Sequence, residues 1–515
     1  MAGFTRRLDD QPTPSISLSR RAIATVVATL IVARSVVFVF WPQSYLDANQ
    51  AVIGLMAKHI AEGRAWPLFM YGQSYVLATE AWLAAPLFLT FGVSVAALKI
   101  PLLLVNVAVA LLLLRVLIED AGLSPPLAAV ASLFVVLPSP STTAQLLEAN
   151  GGSIETFLYV LLLWLLRERP VWCGLALGLG LLQRTFTVYG CLSLLLVLAA
   201  RRQLFTRLGL RRAAVTLLVA AVLWLAAENV KPAASAMGPG TTLAQLHTRS
   251  QAREIARHLC IDVRTIVPGV GRLVTLHWPL LFGTQLQALA EYGIESGLSE
   301  GMPGAGLWLA ILIAIAVCRI GLTIVHERGW PPALDAGVYL ALAGALSAGG
   351  YVIARCGVLT IYKMNYDLLS LLGAVGIAAW YLRVEPSMRL RTLWVTGLIA
   401  WTAIHAVAHG RLLAEYATHP PRGGKLELIE ALDNRGVRYA YANYGLAYPI
   451  TFLTNERIVA ASSTRIRVLQ YQQIVAAHRS EAFHVSRERC GLEPPASPRL
   501  FYLYICQANA RGVRP

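Results

Sequence analysis

Runs of roughly 20 apolar residues recur along this chain, the first from Ala22 to Phe40. A run of that length crosses the hydrocarbon core of a bilayer as a helix. The chain has 515 residues, of which 56% are hydrophobic and only 14% charged, too little polar surface for a soluble protein of this length. The runs therefore fix the class: an all-α polytopic membrane protein. The first run reads as a retained span and not as a cleaved signal peptide, since it is long, contains Arg34 and is followed by many others.

A net charge of +16 invites a nucleic-acid partner. The arrangement of the charge argues against one. The Arg and Lys residues cluster between apolar runs: Arg6-Arg7 with Arg20-Arg21, Arg167 to Arg169, RRQLFTRLGLRR at 201–212, HER at 326–328, and Arg383 to Arg391. Short basic loops are an orientation signal against the cytoplasmic leaflet. Seven cysteines are scattered without metal-ligand spacing. Cys173, Cys191, Cys318 and Cys356 lie in or beside apolar runs and read as packing.

If all basic clusters face the cytoplasm, the runs between them come in even numbers. Spans are expected near 22–41, 94–117, 125–139, 154–166, 171–183, 186–200, 212–230, 305–324, 333–353, 359–381 and 391–409, about eleven in all. The apolar segment SYVLATEAWLAAPLFLTFG (74–92) is set apart at the outer interface, because a span there breaks the charge pattern and buries Glu80 mid-membrane. Residues 1–409 then form the transmembrane domain, with outer loops at 42–93 and 231–304, and 410–515 an outer domain. In that tail KLELIEALDNRG reads as a helix, VRYAYA as a strand, YPITFLT as a short helix and RIVAAS as a strand, which makes a small α/β unit. In an oxidising compartment Cys490 and Cys506 can pair.

The stretch YLDANQAVIGLMAKHIAEG (45–63) has an apolar stripe at Ala48, Ala51, Val52, Leu55, Met56 and Ile60, the spacing of an amphipathic helix. Asp47 stands at its N-cap with Gln50 three residues on, and Gly63 stands where a helix ends with positive φ. A cap alone accounts for Asp47. Such a helix also lies in the membrane interface, which puts the carboxylate at the lip of any cavity between the spans.

Three stretches together resemble the GT-C class of integral membrane glycosyltransferases, and within it bacterial members related to protein mannosyltransferases and aminoarabinose transferases. They are YLDANQAVIGLMAKHIAEG with PLFMYGQSYVLATEAWLAAPLFLTFG, EANGGSIETFLYVLLLW (148–164), and GVRYAYANYGLAYPITFLTNERIVAAS. The resemblance implies a GT-C fold in the bacterial cytoplasmic membrane, a polyprenyl-phosphate-linked sugar donor, and transfer on the periplasmic or outer face to a lipid, glycan or protein acceptor. It implies an acidic active-site residue in the first outer loop, which is Asp47 here. Displacing a polyprenyl phosphate needs a carboxylate to take the acceptor's proton, and an inverting single displacement, the mechanism expected here, needs only one such base. A second acidic residue is expected in the next outer loop. Glu155 directly precedes its span and is the better match; Glu148 also fits. Gly151-Gly152 beside them would let the backbone approach a ligand.

Relatives of the aminoarabinose group often carry a Lys near the second interfacial helix. Here YGQSYVLATE has no cation, though Glu80 stands in it as a candidate substrate-binding residue. The phosphate then falls to Arg184, Arg355 or Lys363 at outer span ends, each of which can equally snorkel to headgroups. Some members of the class use a divalent ion and others none, so a metal stays open, with Asp47 and Glu155 as possible ligands. Tyr439, Tyr441, Tyr444 and Tyr448 can stack on sugars or fill the tail core. The competing class is a multi-span transporter or lipid flippase, which predicts paired halves; none is visible in the sequence.

Overall fold

The computed structural model describes residues 19–41, 46–73, 76–234, 262–283, 305–327, 330–353, 365–420, 423–487 and 503–507. Helix α1 (Arg20–Phe40) starts at Ser19, whose hydroxyl accepts the Ala22 N–H. Two helices follow that end before they could cross a bilayer: α2 (Ala48–Ala61) and α3 (Thr79–Phe91). The bundle continues with α4 (Val95–Glu119), α5 (Pro125–Val136), α6 (Pro140–Leu146), α7 (Ile154–Leu165), α8 (Pro170–Gln183), α9 (Thr187–Ala200) and α10 (Arg207–Ala234). Short helices α11 (Val263–Arg272) and α12 (Trp278–Leu281) precede α13 (Ala305–Glu327), α14 (Asp335–Ile353), α15 (Ser370–Val384) and α16 (Met388–Thr418).

Six of these helices, α1, α4, α10, α13, α14 and α16, are long and apolar enough to span a membrane, so the chain is an integral membrane protein. The expectation of about eleven spans goes beyond this. Helices α7, α8, α9 and α15 are apolar but have only 12 to 15 residues, about 18–22 Å at 1.5 Å per residue against a core of about 30 Å. The expected span 125–139 holds α5 alone, and an 83° break separates it from α6. Pro138 and Pro140 stop the helix there. Arg34 of α1 reaches into this bend, buried, and donates to Thr143 of α6 at 3.0 Å and Asn106 of α4 at 2.9 Å.

The basic loops meet at one end of the bundle. There Arg20 pairs with Glu119 (2.6 Å), Arg167 with Asp120 (2.9 Å) and Arg201 with Asp335 (2.6 Å). Asp47, α2 and α3 lie at the other end, and the C-terminal region sits on them. It consists of α17 (Gly424–Asn434), β1 (Tyr439–Ala442), α18 (Tyr444–Leu453), β2 (Val459–Ser462), α19 (Leu469–Ala477), β3 (Phe483–Ser486) and β4 (Tyr504–Gln507). The sheet order is β2-β1-β3-β4, parallel except for the last pair. It has its own apolar core of Leu428, Leu432, Ala440, Ala460 and Ile505, among others. Helix α18 lies on α2, where Phe452 covers Gly54 so closely that a Cβ there would stand 2.5 Å from the ring. Cys506 is held in a disulfide; Cys490, its expected partner, lies outside the described residues.

Candidate active site

Asp47 is the N-cap of α2 and accepts the Gln50 N–H at 2.8 Å. Three separate parts of the chain bring charge to it. Lys99, in the first turns of α4, is fully buried, its ammonium makes no hydrogen bond, and it faces Asp47 and Glu148. Lys425 of α17, also buried, donates to the Leu46 carbonyl and faces Asp47. Glu148, in the loop between α6 and α7, faces both Asp47 and Lys99. Burial pushes the Glu148 carboxyl up to about 8, with the Asp47 charge adding to the effect. Burial pushes the Lys425 ammonium down to about 8 against the pull of Asp47. Tyr444 of α18 donates to Asn49, in the first turn of α2, at 2.6 Å, with Arg465 and Arg467 over its ring at 5.5 and 5.8 Å.

Glu80, Glu155 and Arg184 gather in a second cluster behind the Glu148 loop, and Asp47 does not meet Glu155 there. Glu80, 1% exposed, accepts the Gly151 N–H at 2.7 Å. Burial raises its carboxyl above the usual range. Glu155, 5% exposed, faces Glu80. Arg184 donates to the carbonyls of Gly151 and Asn150, both at 2.8 Å. Its guanidinium is thus engaged with the protein, which leaves less of it for a phosphate. Gly151 and Gly152 do not admit a ligand. Their φ values of +84° and +152° suit glycine, and a Cβ would meet Val76 at 2.1 Å and Arg184 at 1.9 Å. Arg355 and Lys363 lie outside the described residues.

The far end of α2 holds a third cluster. Glu456, in a left-handed turn (φ 66°), accepts from Lys58, from Arg64 at 2.6 and 2.9 Å, and from Tyr471 at 2.6 Å. His59, fully buried, lies between Tyr71 (3.0 Å) and Glu456 (3.2 Å). Among the tail tyrosines, Tyr439 stacks on His478 and Tyr441 on His484, both within the C-terminal region, and Tyr444 alone of the four reaches the Asp47 site. Among the described residues no three His, Cys, Asp or Glu side chains stand together as a metal cage. Asp47 and Glu148 are the two carboxyls that would flank an ion, and two ammonium groups stand beside them.

Reading the sequence passed over Lys99, Lys425 and the Glu456 hub. Lys99 did carry a signal, a lone cation inside an apolar run, which is costly unless it has a task. Lys425 and Glu456 carried none, since their partners lie 379 and about 400 residues away in sequence.

No family model and no curated protein matches this chain. Solved membrane-enzyme structures share its fold, and the chain has the fold of the GT-C class. ArnT from Cupriavidus metallidurans, bound to undecaprenyl phosphate, is similar with a TM-score of 0.55 and 12% identity, covering 90% of this chain and 93% of that one. The Archaeoglobus fulgidus oligosaccharyltransferase in its apo form gives a TM-score of 0.50 and 11% identity, covering 92% of this chain and 70% of that one.

Proposed function

We propose that the protein is a glycosyltransferase of the bacterial cytoplasmic membrane. It takes a sugar from a polyprenyl-phosphate donor and passes it to a lipid, glycan or protein acceptor on the outer face. The observation that carries this reading is Lys99. A buried ammonium without a hydrogen bond is an expensive arrangement. An anion entering between Lys99 and Lys425 relieves it, and a polyprenyl phosphate is such an anion. The similar ArnT structure holds undecaprenyl phosphate.

In this reading Asp47 is the base. It takes the proton of the acceptor hydroxyl or amine as that atom attacks the anomeric carbon from the face opposite the phosphate. The bond from carbon to phosphate oxygen breaks, and its electron pair leaves on the phosphate. Lys99 and Lys425 stabilise the extra charge. Protonated Glu148 keeps a second negative charge away from Asp47 and the departing phosphate. Glu155 and Arg184 act from behind the loop, without touching substrate. Eleven crossings, a cytoplasmic N-terminus and an outer α/β domain are part of the same reading: the basic loops, gathered at the end opposite Asp47, support it.

The test is release of polyprenyl phosphate from a panel of polyprenyl-phosphate sugars by the purified protein in lipid nanodiscs. The wild type releases it from at least one donor. Asp47→Asn, which caps a helix equally well, melts at the wild-type temperature and loses about 10²–10⁴-fold in rate. A fully active Asp47→Asn protein would remove Asp47 as the base. A wild type inert toward every donor would remove the enzyme reading.

A further inference from the structure

The Glu148 loop is held by an unusual brace. From below, Glu80 accepts the Gly151 N–H at 2.7 Å. From the side, Arg184 donates to the Gly151 and Asn150 carbonyls, both at 2.8 Å. Asn150 in turn donates to Glu148 at 2.7 Å, and Ser153 to Asn150 at 3.2 Å. A continuous chain of bonds thus runs from Glu80 to the carboxyl that faces Asp47. Glu80 itself is fixed by Gln183, whose amide N–H₂ approaches its other oxygen at 3.5 Å and whose amide oxygen is oriented by the Thr79 hydroxyl at 2.7 Å. The remaining neighbour is Glu155, on the first turn of α7. Neither of its oxygens makes a well-formed hydrogen bond to a donor, and the Glu80 carboxyl and the N–H groups of Ser153 and Glu155 are its polar surroundings. Tyr159 of α7 and Arg184 are the other titratable groups facing the pair. Two adjacent buried carboxyls do not both ionise, so the pair holds at least one proton between them.

We infer that Glu80 is a positioning residue: it sets the shape of the Glu148 loop through the Gly151 N–H, and Glu155 keeps Glu80 in place through a shared proton. The consequence for transfer rests on the reading of Asp47 and Glu148 given above; the brace itself does not. Glu80 therefore acts through Glu148 and does not touch donor or acceptor.

Hydrogen exchange of the 147–153 segment, read by mass spectrometry on the full protein in nanodiscs, tests the brace without any substrate. Glu80→Ala speeds exchange of the Gly151 amide on the order of tenfold, the loss of one hydrogen bond. Glu80→Gln keeps an acceptor oxygen for Gly151 and a donor for Glu155, and exchanges as the wild type does. The double variant Glu80→Leu/Glu155→Leu leaves no lone carboxyl buried and exchanges like Glu80→Ala, which keeps the test alive if the single alanine variant misfolds. With an active donor in hand, Glu80→Ala lowers kcat with little change in KM and displaces the alkaline limb of the pH profile, and Glu80→Gln restores both. Unchanged Gly151 exchange in folded Glu80→Ala or in the double leucine variant overturns the brace. Glu80→Gln as impaired as Glu80→Ala shows that Glu80 acts by its charge and overturns the positioning role. If no donor is turned over, the exchange result still decides the brace, and only the transfer reading falls.

Discussion

Helix α2 carries charge at both ends, and the two ends are built in opposite ways. At its C-terminal end Glu456 is closed on every side. Lys58, His59, Arg64 and Tyr471 point their polar atoms at it. Burial alone would raise that carboxyl, but the hydrogen bonds from Arg64, His59, Lys58 and Tyr471 outweigh it and hold the group well below the usual range. At its N-terminal end Asp47 spends one oxygen on a cap, while Lys99 beside it bonds to nothing. A fully satisfied buried network fixes structure. An unsatisfied one at the mouth of a bundle is organised for something that arrives. The same C-terminal region grips both ends, through Lys425 and Tyr444 at one and Glu456 at the other.

The contrast breaks most sharply in paired variants. Asp47→Asn loses 10²–10⁴-fold of the transfer rate, an effect of general-base removal, with no change in melting. Glu456→Gln does the reverse: it leaves Lys58 and Arg64 facing a neutral amide and costs about 3 kcal/mol of stability, read by chemical or thermal unfolding, with the remaining folded protein active. A Glu456→Gln protein that melts like the wild type would mean the hub is no more than a surface ion pair. The pH dependence has a defined sign. A carboxyl held low in the folded state stabilises fully above its unfolded value of 4.5 and loses that contribution as pH falls toward the folded value. The wild type therefore loses stability in acid relative to Glu456→Gln, and the two melting curves converge as pH drops.

Next in size is the charge at the open end. Lys99→Met, of similar shape, removes the unbonded ammonium. It raises the donor concentration needed for half-maximal release by about tenfold to a hundredfold, the worth of a charge-assisted bond to phosphate, and leaves stability equal or better. Titrating polyprenyl phosphate as a product inhibitor reads the same loss. A Lys99→Met protein with wild-type donor affinity would show that Lys99 serves the fold and not the phosphate.

Raising the pH through about 8 ionises Glu148 and neutralises Lys425 at once. One change adds a negative charge beside Asp47 and the other removes a positive one, so both weaken the hold on phosphate, and transfer falls on the alkaline side. Glu148→Gln cannot ionise. Its alkaline limb loses the Glu148 proton and is shallower. A limb of unchanged steepness in Glu148→Gln takes Glu148 out of the account.

How much of this was legible in the sequence follows the range of the interactions. The α2 cap, its stripe and its closing Gly63 (φ 69°) are local, and the pattern of 45–63 displayed them. The tail's helices and strands are local too, and α17, β1, α18 and β2 fall on the stretches whose periodicity marks them. The clusters are not local. Glu148 and Glu155 are seven positions apart, one on the loop before α7 and the other on its first turn, and nothing in the spacing tells which of them faces Asp47. Only the fold puts α4 beside the first and α3 beside the second. Gly151-Gly152 reads from sequence as room for a ligand, yet the room is filled by Val76 and Arg184. Arg184 reads as a phosphate group, yet its donors go to two carbonyls. A cation in sequence advertises its charge but not the partner that has already taken it.

The smallest effect marks the boundary of the closed end. Glu62, one turn beyond Lys58, pairs with Lys58 at 3.2 Å and with Arg64 at 2.7 Å, but its side chain is 39% exposed. Both partners keep their bonds to Glu456 when it is gone. Water screens what it contributes, so Glu62→Ala costs about 0.5 kcal/mol or less, and less still in high salt. Measured beside Glu456→Gln, it separates the carboxylate that organises the hub from the one that only rims it. A Glu62→Ala loss equal to that of Glu456→Gln would mean the two acids share the cations evenly, and the closed end would be a solvent-facing network with no fixed centre.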